Sequence, residues 1–319
     1  MPFAAVPYRD MRILYVGARI VGYRVLESLL EDGAQIVGVL TLDETKATTT
    51  TAYTPFDELV HHHRLVVRKF TSLKDEEITA WARELNPDLG IIVGVSQLIG
   101  GDLLVVPPRG FIGMHPTLLP EGRGRAPIPW ALIKGLTRTG VSLFYCDPQA
   151  DTGDLLAQCE VPIYYEDVSA TLGCRTDTAA IELFRNSLPQ LAAGTALRCP
   201  QDDGRATLWP RRQPEDGLID WSRTATELYN WIRALTHPYP GAFSFYDGRR
   251  INVWSARESA DRRHGRPGEV LAVLPHGVLV ACGQGSLLLT NTSWEGDTGN
   301  HTVFSGLQPG RCFDTGDSS

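Results

Sequence analysis

The sequence predicts an α/β protein, a doubly wound and mostly parallel sheet followed by a smaller β-rich domain. Three observations carry this. Continuous apolar runs alternate with segments of helical periodicity through the first 200 residues, the pattern of strands buried on both faces of a parallel sheet. From about residue 206 the texture changes to short strand-like runs punctuated by Gly, Pro and Asn, which suits a small antiparallel barrel or sandwich. A length of 319 residues, 43% of them hydrophobic, supports about two domains at roughly 150 residues each.

The elements follow in order. Ile13 to Val16 form the first buried run; Val21, Val25, Leu29 and Leu30 recur at helical spacing, Gly33 stops the helix, and Ile36 to Leu40 make a second strand. Ser72 to Asp75 predicts a capping box ahead of a helix carrying Ile78, Trp81, Ala82 and Leu85 on one stripe, broken at Asn86-Pro87. That helix feeds a strand over residues 89–95. Two more strands are predicted at 110–114 and 140–146, with a helix over 127–135 between them. The short runs at 251–256, 269–274, 277–282 and 286–291 are strands of the second domain. The polar segment CPQDDGR places the boundary so that residues 11–203 form the first domain and 204–305 the second, with 306–319 a frayed tail.

Lys and Arg number 30 against 37 Asp and Glu, a net charge of −7, and no run of five or more cations occurs. Broad electrostatic capture of a nucleic-acid backbone is disfavoured, so no tRNA partner is expected. No window approaches eighteen uncharged apolar residues, and the start lacks a basic segment followed by a long apolar one, so neither a membrane partner nor secretion is expected and the protein is placed in the cytoplasm. The six cysteines have no C-x-x-C spacing and read as free thiols. His61, His62 and His63 are consecutive on a helical segment and point in different directions, so no metal is expected there.

Ligands of open α/β sheets gather beyond the carboxyl ends of the strands. The first such turn, with Gly17 and Gly22, has Arg19 where a dinucleotide fingerprint requires glycine. After the strand at 110–114 comes His115 in a proline-fixed loop, HPTLLP, then Glu121-Gly-Arg-Gly-Arg125. After the strand at 140–146 comes Asp147-Pro-Gln-Ala-Asp151-Thr-Gly-Asp154. If the two loops lie at the ends of neighbouring strands, an Asp beside a His makes an acid/base or oxyanion-stabilising pair; capping and Asx turns are the alternative use of these carboxylates.

HPTLLPEGRGRAPIPW and ADTGD together resemble the folate-dependent formyltransferase family, whose signature is an Asn-x-His-Pro-Ser-Leu-Leu-Pro loop followed by an Asp-Thr-Gly-Asp loop. DLGIIVGVSQLI resembles the family's folate-binding strand and loop, and residues 206–256 resemble its linker and carboxyl-terminal domain, so the likeness covers roughly residues 11–292. It implies a Rossmann-like catalytic domain, an OB-like carboxyl-terminal β-barrel and 10-formyltetrahydrofolate as formyl donor, with no metal. Carried over position by position, it places the catalytic His on His115 and the catalytic Asp on Asp151. Folate contacts fall on Val95, Ser96, Gln97, Leu98 and Ile99, with Asp147 and Asp151 beside them. The family's Asn falls on Gly113, which has no side chain to donate to the formyl oxygen. Water or the Gly113 backbone replaces the amide, with His115 the main oxyanion stabiliser; or the enzyme hydrolyses the formyl donor; or the chain binds folate without turnover.

For the acceptor, the stretch after the second strand, TLDETKATTTTAYTP, holds only Lys46 as a cation. Together with the resemblance of GRGRAPIPW to amino-sugar formyltransferases, this favours a small primary amine, most of all a nucleotide-linked amino sugar, with an amino acid or natural-product precursor as the alternative. Arg123 and Arg125 are candidates for acceptor phosphates, since guanidinium forks suit them, with ordinary salt bridges as the alternative. Tyr53 is a candidate for stacking on the acceptor, with core packing as the alternative. A homodimer is left open.

Overall fold

A computed structural model describes residues 8–261, 263–297 and 304–314. In chain order the elements are β1 (Arg12–Gly17), α1 (Ile20–Glu31), β2 (Gln35–Leu42), α2 (Asp57–His63), β3 (Val67–Phe70), α3 (Glu76–Glu84), β4 (Leu89–Val93), α4 (Gly101–Leu104), β5 (Phe111–His115), β6 (Arg123–Gly124), α5 (Pro127–Ile133), β7 (Arg138–Tyr145), β8 (Leu155–Pro162), α6 (Ser169–Ala193), β9 (Leu208–Trp209), α7 (Ala225–Leu235), β10 (Ala242–Tyr246), β11 (Arg249–Ser259), β12 (Val270–Leu274), β13 (Gly277–Ala281) and β14 (Ser286–Trp294). The chain divides into two compact units. Among the described residues, one holds those within 1–127, 138–162 and 174–209, the other those within 128–137, 163–173 and 210–319. Among the described residues no helix is long and apolar enough to cross a membrane.

The first unit is a seven-stranded sheet in the order β3-β2-β1-β4-β5-β7-β8. β1 to β5 run parallel, while β7 is antiparallel to β5 and β8 antiparallel to β7. The parallel strands are the apolar runs of the sequence because both faces are covered: Ile13 to Val16, Leu89, Ile91 and Ile112 are fully buried. One side of the sheet packs Leu14, Val16, Leu40, Leu42, Phe70, Leu73, Ile78, Ala82, Leu103 and Phe111 together. At about 1.5–3 kcal/mol for each fully buried large side chain, this cluster is a main source of the unit's stability.

Local signals explain where the helices stop. Gly33 takes φ +81° and closes α1, with its N–H donating to the Leu30 carbonyl. Asn86 takes φ +43° after α3. The capping box expected at residues 72–75 does not form: Ser72 Oγ accepts from the Lys74 N–H, and Asp75 stands at the N-cap with no side-chain bond into the helix. Ser72 lies three residues before the N-cap and serves a local turn instead.

The chain passes from β1 out to β2 and β3 and then returns beside β1 as β4, so the order reverses between β1 and β4, where Gly17 pairs with Val93. The glycines of the first turn are packing glycines. A Cβ on Gly22 would lie 2.6 Å from the Val93 carbonyl oxygen and one on Gly17 2.8 Å from Phe56.

The second unit carries an antiparallel sheet in the order β10-β11-β14-β13-β12, backed by α7. The capping box of α7 is complete, with Thr224 Oγ1 accepting from the Glu227 N–H and Glu227 accepting from the Thr224 N–H. The described part of the expected frayed tail is docked instead. Asp314 pairs with Phe245 and Cys312 with Glu269, Leu307 and Phe313 are buried, and Phe313 stacks on Trp221 at 5.3 Å. The buried Phe313 and Leu307 side chains offset the cost of ordering this Gly-rich stretch. Residues 315–319 of that tail lie outside the described residues.

Candidate active site

His115 ends β5 and is 6% exposed. Its Nε2 lies 2.8 Å from the Gly122 carbonyl oxygen. A carbonyl only accepts, so in the neutral ring the proton sits on Nε2, and Nδ1 presents a lone pair. Nδ1 lies 3.7 Å from Asp151 Oδ1, close enough for charge attraction and too far for a direct hydrogen bond. Nδ1 and the carboxylate therefore face each other without bonding directly.

Asp151 does not reach His115 by the route that strand order suggests. Because β7 is antiparallel to β5, its carboxyl end pairs with the start of β5: Tyr145 lies opposite Ile112, and the Cys146 N–H donates to the Phe111 carbonyl. The β7–β8 loop has to carry Asp151 back across the sheet, and three contacts hold it. Asp151 Oδ2 accepts from the Gly124 N–H at 2.9 Å, and Gln201 Nε2 donates to the carbonyls of Asp151 (2.9 Å) and Gly153 (2.7 Å). Asp151 itself takes φ +60°, a left-handed conformation that Asp tolerates better than most residues. Asp147 is occupied inside the loop, accepting from the Gln149 N–H and from Thr152 Oγ1, the Asx-turn use of a carboxylate.

The glycine of the DTGD segment is obligatory, since a Cβ on Gly153 would lie 1.7 Å from the Tyr145 carbonyl oxygen. Gly153→Ala is expected to push the loop outward, costing about 1–3 kcal/mol of stability and separating Asp151 from His115. A lowered Tm together with lost turnover checks this.

Arg123 is not available to an acceptor phosphate. It is 9% exposed, its Nε and Nη2 donate to Gln201 Oε1 (3.1 and 2.8 Å), and Nη2 pairs with Asp203 at 2.7 Å. Burial makes these partners obligatory, and Gln201 in turn donates to the Asp151 backbone carbonyl, so Arg123 supports the loop that carries the carboxylate. Arg125 is exposed. Tyr53 packs against the core cluster, its hydroxyl 3.5 Å from the Leu42 carbonyl, so core packing is the larger part of its environment.

The segment Val95–Ile99 follows β4 beside the reversal of strand order. Arg19 Nη2 donates to Ser96 Oγ at 2.6 Å, Gln97 is tied to the Leu73 N–H and the Thr71 carbonyl, and Ile99 is buried. The Ser96, Gln97 and Ile99 side chains are thus anchored, whereas the backbone N–H and C=O groups of Val95, Ser96 and Leu98 bond to no other described residue. A loop held by its side chains with free backbone groups fits a ligand with alternating ring donors and acceptors, such as a pterin. His61 to His63 end α2 and are exposed, and among the described residues no three His, Cys, Asp or Glu side chains group closely enough to hold a metal ion.

Sequence reasoning missed Gln201, Phe144 and Cys146. Gln201 carries no sequence signal. Phe144 and Cys146 follow from strand alternation once β7 is known to oppose β5, because Gly113 lies directly opposite Phe144. A Cβ on Gly113 would meet Phe144 Cζ at 2.8 Å and Cys146 Sγ at 2.9 Å.

The family described as "Formyl transferase" matches residues 11–188, and "Formyl transferase, C-terminal domain" matches 211–299. The methionyl-tRNA formyltransferase of Citrifermentans bemidjiense is 34% identical over 315 residues, 97% of this chain and 98% of that one. An N-formyltransferase from Helicobacter canadensis, solved with folinic acid and dTDP-3-aminofucose, superposes with a TM-score of 0.68 at 15% identity, covering 89% of this chain and 100% of that one. HypX from Aquifex aeolicus in complex with tetrahydrofolic acid gives 0.66 at 21% identity, over 89% of this chain and 44% of that one.

The relatives overturn one expectation. Net charge and the sparse cations after β2 argued that no tRNA is involved, yet chains similar to this one over nine tenths or more of its length are methionyl-tRNA formyltransferases. A whole-chain sum hides its distribution: residues 211–319 hold 11 Arg against 12 Asp and Glu, so the acidity lies in the first 210 residues. Both family matches and the likeness along the full chain agree with the site geometry: the chain belongs to the formyl transferase family and is a folate-dependent formyltransferase.

Proposed function

We propose that the enzyme moves the formyl group of 10-formyltetrahydrofolate to a primary amine at the His115–Asp151 pair. The observation that carries this is the 3.7 Å approach of Nδ1 to the Asp151 carboxylate, with the opposite ring nitrogen held by Gly122. When bound against Val95–Ile99, the donor supplies the formyl carbon and leaves as tetrahydrofolate. Asp151 takes the proton that the attacking amine must lose, directly or through water. Protonated His115 donates from Nδ1 to the formyl oxygen as it gathers charge.

The acceptor we propose first is the amino group of methionyl-tRNA, because relatives aligned along both family segments act on it by name. A nucleotide-linked amino sugar is the second reading. It is supported by the presence of only Lys46 as a cation in residues 41–55 and by the fold shared with the dTDP-3-aminofucose complex. Purified enzyme with 10-formyltetrahydrofolate is offered methionyl-tRNA and, separately, dTDP-3-aminofucose, and each product is weighed by mass spectrometry. A 28-Da gain, one formyl for one hydrogen, on methionine supports the first reading; the same gain only on the sugar overturns it in favour of the second.

A further inference from the structure

The position of the family's carboxamide is glycine in this chain, and the space beside it is filled. Gly113 and His115 alternate along β5, opposite Phe144 and Ser142 of β7, so all four side-chain positions lie on one face of the sheet. Cys146 continues the same alternation just past β7, and its sulfur stands 2.9 Å from where a Gly113 Cβ would be. The volume of the missing amide is therefore shared between the edge of the Phe144 ring and the Cys146 thiol.

Of these two groups only the thiol can donate a hydrogen bond. The Cys146 sulfur bonds to no other described residue, and its backbone N–H donates to the Phe111 carbonyl, which holds the main chain at this position. Burial raises the Cys146 pKa strongly, and the Asp151 and Asp147 carboxylates raise it further. At neutral pH the group is S–H, a donor and not a thiolate nucleophile.

We propose that Cys146 is a further catalytic residue, its S–H donating to the formyl oxygen in place of the carboxamide that Gly113 lacks. This rests on the His115–Asp151 reading of the site. The bond changes are those of the transfer itself. The amine nitrogen bonds to the formyl carbon, the bond from that carbon to N10 breaks, and the proton lost by the amine passes through Asp151 to N10. The thiol proton stays on sulfur throughout.

Cys146→Ala, Cys146→Ser and His115→Ala are compared with the parent enzyme, using 10-formyltetrahydrofolate with methionyl-tRNA and with dTDP-3-aminofucose, for kcat, the KM of the formyl donor and Tm. A strong oxyanion donor is worth about 10²–10³ in rate and a thiol is a weak one, so Cys146→Ala is expected to lower kcat about tenfold with the donor KM within about twofold. Cys146→Ser, a stronger donor of similar size, is expected to retain kcat at or above the parent value. An alanine variant at parental kcat, or alanine and serine variants falling equally, overturns the proposal and leaves a packing role. If Cys146→Ala does not fold, the serine variant decides alone: a kcat well below the parent's rejects the hydrogen bond. His115→Ala at full activity would instead overturn the site reading itself.

Discussion

Asp151→Asn is expected to lower kcat for formyl transfer by about 10²–10³, the range for losing a positioned acid/base group. The substitution keeps an oxygen that can accept from the Gly124 N–H, and the backbone of residue 151 stays held by Gln201, so the loop keeps its place. What disappears is the negative charge 3.7 Å from His115 Nδ1 and the base that relieves the amine of its proton. His115→Ala is expected to cost at least as much. It also leaves the Gly122 carbonyl without its partner, adding a stability loss of about 1–3 kcal/mol. The two effects are separable, since Tm reports the second and kcat of the folded enzyme the first. Asp151→Asn at parental kcat would remove the carboxylate from the mechanism.

Gly113→Asn gives the second large effect, and it runs against the simple expectation that restoring the family amide leaves folding intact. The new Cβ would sit 2.8 Å from Phe144 Cζ and 2.9 Å from Cys146 Sγ, distances that real Cβ atoms do not tolerate, so β5 or the Phe144 ring must shift. Overpacking of a well-filled site costs about 1–3 kcal/mol, and the shift moves His115, two residues along the same face. We expect a lower Tm and no gain in transfer. Pairing it with Phe144→Leu should recover part of the lost Tm by removing the ring atoms in conflict. Thermal melts of the single and double variants check this; a single variant as stable as the parent would mean that the face above Gly113 is open.

The sequence was most informative where one physical rule acts alone. Buried parallel strands read as apolar runs, so β1, β2, β4 and β5 were legible, as were Gly33 as a helix stop and the four strands β11 to β14. That His115 and Asp151 come together was legible because their motifs are specific. How they meet was not, because strand direction leaves no trace in an apolar run, and β7 proved antiparallel. The role of Arg123 was hidden for a related reason: a guanidinium fork suits phosphate and carboxylate equally, and only the fold shows that Gln201 and Asp203 occupy it. The docking of Leu307 and Phe313 was obscured by the Gly-rich polar segment around them, whose composition says nothing of two apolar anchors.

The central claim is that the His115–Asp151 pair catalyses transfer of a formyl group to an amine, and tetrahydrofolate release from 10-formyltetrahydrofolate tests it most directly. The parent enzyme and Asp151→Asn would be followed side by side, with methionyl-tRNA, with dTDP-3-aminofucose and with no amine. The account predicts release by the parent enzyme only when an amine is present, one tetrahydrofolate per formylated product, and near-complete loss in the variant. Release that proceeds equally without any amine, or that survives Asp151→Asn unchanged, would contradict it.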